Sequence, residues 1–373
     1  MARKTRLMLG FNFAKNNLPS ALHTIQQWSE YAADSRRFET VFGLNTACHP
    51  DRDLPGDAMK MMIRYCRCKD LFIFDEYAAE FAMSSFGDSL GRDCHPFYTG
   101  FNYGSLVNRL LLLAGMADCA FLVRVDPGMR PPKCSFDYIA GRFVNIVRDA
   151  NWVVSSGYDG RLAIRDLFVR SKKDHEDLVK LFTGIDPLRQ ITGGAMFTCS
   201  VPGIPAMGFE RYGPTDRELT LVWGTDDTIF QILKETQGSE PLTEFFIPRF
   251  DPEGMRKSTV EYYRGICGMV FLSVLLRGDS AAAAESRARQ FVRHLIEDQI
   301  DPAKYRFDSK DSQLTMRWDE EFVFERIAPG GFLTKICEGL VNHQNLVQSG
   351  KWVAAVELAK RSFAAGLFKI LAR

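Results

Sequence analysis

Short apolar runs alternate with segments in which apolar positions recur every three or four residues, and this alternation organises the N-terminal part of the chain. Residues 6–13 read as a first strand, closing on Phe11 and polar Asn12. Pro19 then opens a helix whose apolar positions Leu22, Ile25, Trp28 and Ala32 fall at helical spacing. Strands are predicted at 38–44 and 70–74, with a helix over 58–65 between them. After a polar, glycine-bearing stretch (84–103) come a helix over 105–116 and a Val- and Phe-containing strand over 119–125 that ends at Asp126. A helix near 136–147 and strands near 152–155, 162–169 and 195–198 continue the pattern. Strands and helices alternating at this spacing predict βαβ units, hence an α/β fold with a mostly parallel central sheet flanked by helices.

Pro241, Pro248 and Pro252 coincide with a change of character. Beyond Lys257 the periodicity is helical, over 260–276, 281–297, 331–346 and 351–371. A boundary near residue 250 would separate an α/β domain, 1–250, from a mainly helical C-terminal part, 251–373. The last helix lines up Trp352, Val356, Ala359, Phe363, Leu367 and Ile370 on one side, with Lys360, Arg361, Lys369 and Arg373 as its cations. That pattern fits docking on the protein's own core, its cations favoured by the helix dipole. Peripheral membrane contact through 351–373 is the alternative.

With 373 residues, 46% of them hydrophobic and 12% aromatic, the chain can bury a sizeable core and is not of disordered composition. A net charge of +1 supplies no bulk field for nucleic acid or an anionic membrane. The longest later apolar run, 266–276, contains Gly268 and Ser273 and falls far short of the roughly 20 residues of a membrane span. The basic N-terminus is followed by an apolar stretch that ends at Asn12, too short for a secretory signal. Nine cysteines without regular spacing read as reduced thiols, which places the protein in the cytoplasm. Cys48, His49, Cys66, Cys68, Cys94 and His95 lack the spacing of a structural zinc site. No P-loop, Rossmann glycine motif or nucleophile elbow is found.

In open α/β sheets ligands collect at the carboxyl ends of strands, which makes Asp126 a candidate for chemistry. The segment Asp126, Pro127, Gly128 is also preferred type II turn chemistry. Asp226 and Asp227 precede an apolar helical segment: helix-start acids, or carboxylates able to take a proton from an attacking hydroxyl. The segment from Asn102 to Ser105 opens a helix either as a simple cap or as N–H groups directed at a diphosphate. Asn108 and Arg109 interrupt the apolar run of that helix and need partners if buried; Arg109 suits a phosphate or a carboxylate. Gly193 and Gly194 mark close approach, by a ligand or by a packed helix.

In this order the elements resemble the GT-A class of nucleotide-sugar-dependent glycosyltransferases, over roughly residues 5–236. A strand ending at Asn12 is followed by a helix; an asparagine- and glycine-bearing helix precedes the strand ending at Asp126; then come Gly193 and Gly194, and a segment Trp223, Gly224, Thr225, Asp226, Asp227. The resemblance implies a UDP- or GDP-linked sugar as donor and a hydroxyl acceptor. It implies donor contacts from Phe11, Asn12, Asn45, Asn102, Asn108, Arg109 and Asp126, and a sugar and acceptor pocket at Gly193, Gly194 and Trp223. Asp227 would be the general base of an inverting transfer, with Asp226 beside it. A divalent cation, Mn²⁺ or Mg²⁺, would be held by Asp126, but Gly128 stands where the second acid of Asp-x-Asp belongs. Asn45 stands where an acid often reads the nucleobase, which leaves the base open. The competing expectations are a sugar-1-phosphate nucleotidyltransferase and a catalytically degenerate binding protein of the same fold.

Overall fold

The computed structural model describes residues 4–12, 18–45, 71–74, 103–126, 128–148, 153–154, 156–159, 172–184, 196–198, 242–248, 259–299 and 320–351, with 354, 357 and 361. Its N-terminal elements are strand β1 (Thr5–Asn12), helix α1 (Leu18–Ala33), β2 (Phe38–Asn45), β3 (Leu71–Phe74), helix α2 (Tyr103–Met116), β4 (Phe121–Val125) and helix α3 (Phe136–Arg148). They are followed by β5 (Val153–Val154), β6 (Ser156–Asp159), helix α4 (Lys172–Thr183), β7 (Met196–Thr198) and β8 (Leu242–Pro248). The predicted helix over 58–65 and strand over 162–169 lie outside the described residues.

Six strands form one sheet in the order β3-β2-β1-β4-β7-β5, and β6 pairs with β8 in a second, two-stranded one. The first four strands are mutually parallel, whereas β7 runs antiparallel to both β4 and β5. The chain therefore builds β1, β2 and β3 to one side and returns to the other side of β1 for β4. The mostly parallel sheet expected from the alternation of elements is present, and near-continuous burial along β1, β2 and β4 is what a sheet covered on both faces requires.

Side-chain alternation divides the two faces. On one, Leu7, Leu9, Phe11, Phe42, Val123 and Val125 pack against Ala21, Ile25 and Trp28 of α1 and Phe136, Ile139 and Phe143 of α3. On the other, Gly10 and Gly43 are register partners on β1 and β2. A Cβ built at Gly10 would lie 2.7 Å from Leu122 Cδ1 and 3.2 Å from Leu110 Cδ1. Glycine there is thus what lets α2 settle close on the sheet, and the helix runs back along β1 until Arg6 Nη1 donates to Ala117 O at 2.7 Å.

The C-terminal elements are α5 (Thr259–Leu276), α6 (Ala281–His294) continuing into a π-helical turn (Leu295–Gln299), α7 (Glu320–Ile327) and α8 (Phe332–Gln348). Ser280 caps α6, its side chain accepting from Ala283 N at 3.2 Å. Buried residues all along α5, from Tyr263 to Leu272, make it the central helix of a second core with Phe291, Val292, Phe324 and Ile336. This core also takes in Leu178, Val179 and Phe182 of α4, and Arg287 Nη2 ties α6 to α4 by donating to Leu181 O at 2.9 Å. Helices α4 and α7 and strands β6 and β8 were not among the predicted elements; Pro241 and Pro248 made the β8 region read as a change of character near a domain boundary. Among the described residues no helix is long and apolar enough to cross a membrane.

Candidate functional site

The sheet builds out from β1 in both directions, which puts a topological switch point between β1 and β4, the position at whose carboxyl ends open α/β sheets bind their ligands. Asn12 and Asn45 are register partners at the ends of β1 and β2. Phe11 pairs with Val125 on the other side, so the next positions outward are Asn12 and Asp126. Three adjacent strand ends thus carry a row of polar residues, Asn45, Asn12 and Asp126. One pleat behind them runs a second row on the same face: Gly43, Gly10 and Arg124.

Asn45 is fully buried and donates from Nδ2 to Asn12 Oδ1 at 2.9 Å; the same nitrogen lies 3.5 Å from Leu106 O in the second turn of α2. The start of α2 therefore overlies the carboxyl ends of β1 and β2, with the positive end of its dipole toward the site. Arg124, at 1% exposure, lies with Nε 4.0 Å from Asp126 Oδ1, while the Asp126 side chain keeps 20% of its surface accessible. Burial thus grades across the row from sealed Asn45 to open Asp126.

Asp126 begins a turn that is held from beneath. Met129 N donates to Asp126 O at 3.1 Å and Gly128 has φ of 88°, the hydrogen bond and positive third-position φ of a type II turn. The Gly128 N–H is taken by Thr24 Oγ1 at 2.8 Å, Thr24 itself donating to Ser20 O at 2.8 Å. Trp28 Nε1 donates to Met129 O at 2.9 Å. Helix α1 thereby fixes the loop that presents Asp126, so the turn role and a site role coexist.

Phe11 is 1% exposed and stacks on Phe42 with ring centroids 5.6 Å apart, on the α1 face of the sheet. Leu106 and Leu110 share one stripe of α2; by helical spacing Asn108 falls across the helix from it and Arg109 on its flank, and both are buried. Asn102, Gly193, Gly194, Trp223, Asp226 and Asp227 lie outside the described residues. Sequence reasoning passed over Arg124 and Thr24. The signal for Arg124 was there: a cation inside the apolar run 119–125 must be partnered once buried.

The donor set is a poor match to a divalent cation. Asp126 is a single carboxylate facing a guanidinium, and position 128 offers neither a side chain nor a free N–H. Among the described residues no group of three or more His, Cys, Asp and Glu is placed to hold a metal. Cysteine chemistry finds no support in Cys267, whose thiol burial pushes up to about 12 although Arg264 and Arg289 draw it down.

No family model and no curated protein sequence matches the chain. Among solved structures it is similar to GT-A-type glycosyltransferases. TarS from S. aureus, residues 1–349, is 10% identical with a TM-score of 0.42, over 98% of this chain and 93% of that one. The mannosyltransferase PcManGT from Pyrobaculum calidifontis, in complex with GDP-Man and Mn²⁺, is 13% identical with a TM-score of 0.40, over 97% and 88%. Glucosyl-3-phosphoglycerate synthase from Mycobacterium tuberculosis, in complex with Mg²⁺ and UDP, is 11% identical with a TM-score of 0.41, over 74% and 80%.

Proposed function

We propose that the chain is a glycosyltransferase that moves a sugar from a UDP- or GDP-linked donor to an acceptor hydroxyl. The observation that carries this reading is the polar row Asn45, Asn12 and Asp126 across three parallel strand ends at the switch point, with the start of α2 above it. Such strand ends suit a nucleotide: the Asn12 amide, braced by buried Asn45, for a base or ribose, a part-exposed carboxylate for hydroxyls, and helix N–H groups for a diphosphate. On this reading Asn12, Asn45, Asn102 and Asp126 form the donor side, Phe11, Asn108 and Arg109 support it from buried positions behind it, and Gly193, Gly194 and Trp223 form the acceptor side. The α/β part up to residue 250 binds the donor, the helical part from 251 supports it with α4 reaching across, and the protein works in the cytoplasm.

In an inverting transfer the acceptor oxygen bonds to the anomeric carbon as the bond from that carbon to the diphosphate oxygen breaks. The electron pair leaves on the nucleoside diphosphate, and the acceptor's proton passes to the Asp227 carboxylate, with Asp226 alongside. A thermal-shift panel of nucleotides and nucleotide sugars tests the donor class, since a ligand that binds only the native state raises the melting point. Asp227→Asn is expected to abolish transfer while leaving donor binding within about threefold; full turnover by that variant removes Asp227 from the base role.

A further inference from the structure

Resting on that reading, we propose that the site binds its nucleoside diphosphate without a divalent cation, the charge of Asp126 being balanced by Arg124 in the place where a metal ion would otherwise sit. Three observations converge on this. Arg124 sits one pleat behind Asp126 on the same sheet face, buried, with Nε 4.0 Å from Oδ1. A guanidinium is permanently charged and cannot step aside by losing a proton. A divalent ion bonded to Asp126 at roughly 2.0–2.2 Å would therefore be seated against a fixed like charge.

The second observation concerns position 128. An acid there would be the natural second ligand, but the backbone at Gly128 holds φ of 88°, which L side chains rarely adopt. Its N–H is committed to Thr24, and the residue is buried beneath the turn. The turn geometry that lets α1 grip this loop is thus what excludes the second carboxylate. The third is that α2 already directs its N-terminal end at the strand ends, so part of the positive potential a diphosphate needs comes from the fold. Arg124 acts here as a positioning residue, keeping the Asp126 carboxylate aimed.

The test is calorimetric titration of the full chain with UDP and GDP in EDTA and in Mn²⁺. The dissociation constants are expected to agree within about threefold; tighter binding in Mn²⁺ by more than that overturns the proposal. Asp126→Asn should weaken binding equally in both conditions, whereas a loss confined to the Mn²⁺ arm would make Asp126 a metal ligand and refute it. Electron paramagnetic resonance of free Mn²⁺ supplies a readout independent of nucleotide. Wild type should leave the free-ion signal unchanged, because one carboxylate beside a guanidinium offers too few ligands, and depletion at stoichiometric Mn²⁺ refutes the proposal. A folded Arg124→Met should weaken nucleoside diphosphate binding equally in EDTA and in Mn²⁺, and Arg124→Lys less so; unchanged affinity in Arg124→Met counts against Arg124's part. If neither nucleotide binds under either condition, the glycosyltransferase reading itself falls and this inference with it, an outcome distinct from binding that requires Mn²⁺.

Discussion

Replacing Thr24 by valine keeps the shape of the side chain but removes the oxygen that accepts from the Gly128 N–H at 2.8 Å. Thr24 is 1% exposed and Gly128 is buried, so no water takes over the bond. An unsatisfied buried donor costs about 1–3 kcal/mol, which is roughly a 5- to 150-fold rise in the local opening equilibrium of the 126–129 turn. Thr24→Ser keeps the acceptor and gives up one methyl, about 0.8 kcal/mol spread over the packing of α1. Hydrogen exchange read by mass spectrometry on a peptide spanning β4 and the turn separates the two. Exchange at Gly128 and Met129 is expected to accelerate by that factor in Thr24→Val and to stay near wild type in Thr24→Ser. Nucleoside diphosphate affinity should fall in the same order, because the loosened loop is the one that presents Asp126. Equal exchange in the two variants would show that Thr24 does not hold the turn, and the account of how Asp126 is positioned would have to be abandoned.

Two further outcomes follow from contacts elsewhere. Phe182→Ala removes a buried ring that meets Phe291 edge-on at 5.3 Å, and should cost about 3–5 kcal/mol of helical-core stability by chemical denaturation; a cost under about 1 kcal/mol would mean that α4 does not belong to that core. Burial pushes the Asp137 carboxyl up, but the Ser35 hydroxyl and the N–H groups of Arg36 and Arg37 outweigh it and hold the group below its ordinary value. Its contribution is therefore complete above the ordinary carboxylate pKa and lost as pH falls through the depressed one. Asp137→Asn should lower stability at neutral pH and shrink the loss below about pH 4, and an unchanged acid limb would refute the assignment.

Much of the sheet was legible in the chain because its strands are buried on both faces, and burial writes itself as continuous apolar runs such as those around Leu9, Phe42 and Val123. The type II turn was legible for a local reason: Pro127 and Gly128 have few other uses in that order. Short elements whose stability comes from partners were not. Helix α4 carries only Leu178, Val179, Leu181 and Phe182 as apolar positions among charged and polar residues, and β8 is bracketed by prolines; α4 owes its place to α5 and β8 to β6, distant in sequence.

What the sequence by itself determined is the set of elements and the residue types at their ends: Asn12, Asn45 and Asp126 are strand-end polar residues in any topology that keeps those strands. Only the tertiary structure decided that the three are neighbours, because strand order is set by pairing between segments far apart and leaves no local trace. That Arg124 stands one pleat behind Asp126 follows from the strand period alone, but only the tertiary structure decided that their face is covered by α2 and that Arg124 is buried there. Side-chain alternation follows from the backbone period, but which strand lies next to which follows from how α1 and α2 cover opposite faces of the sheet.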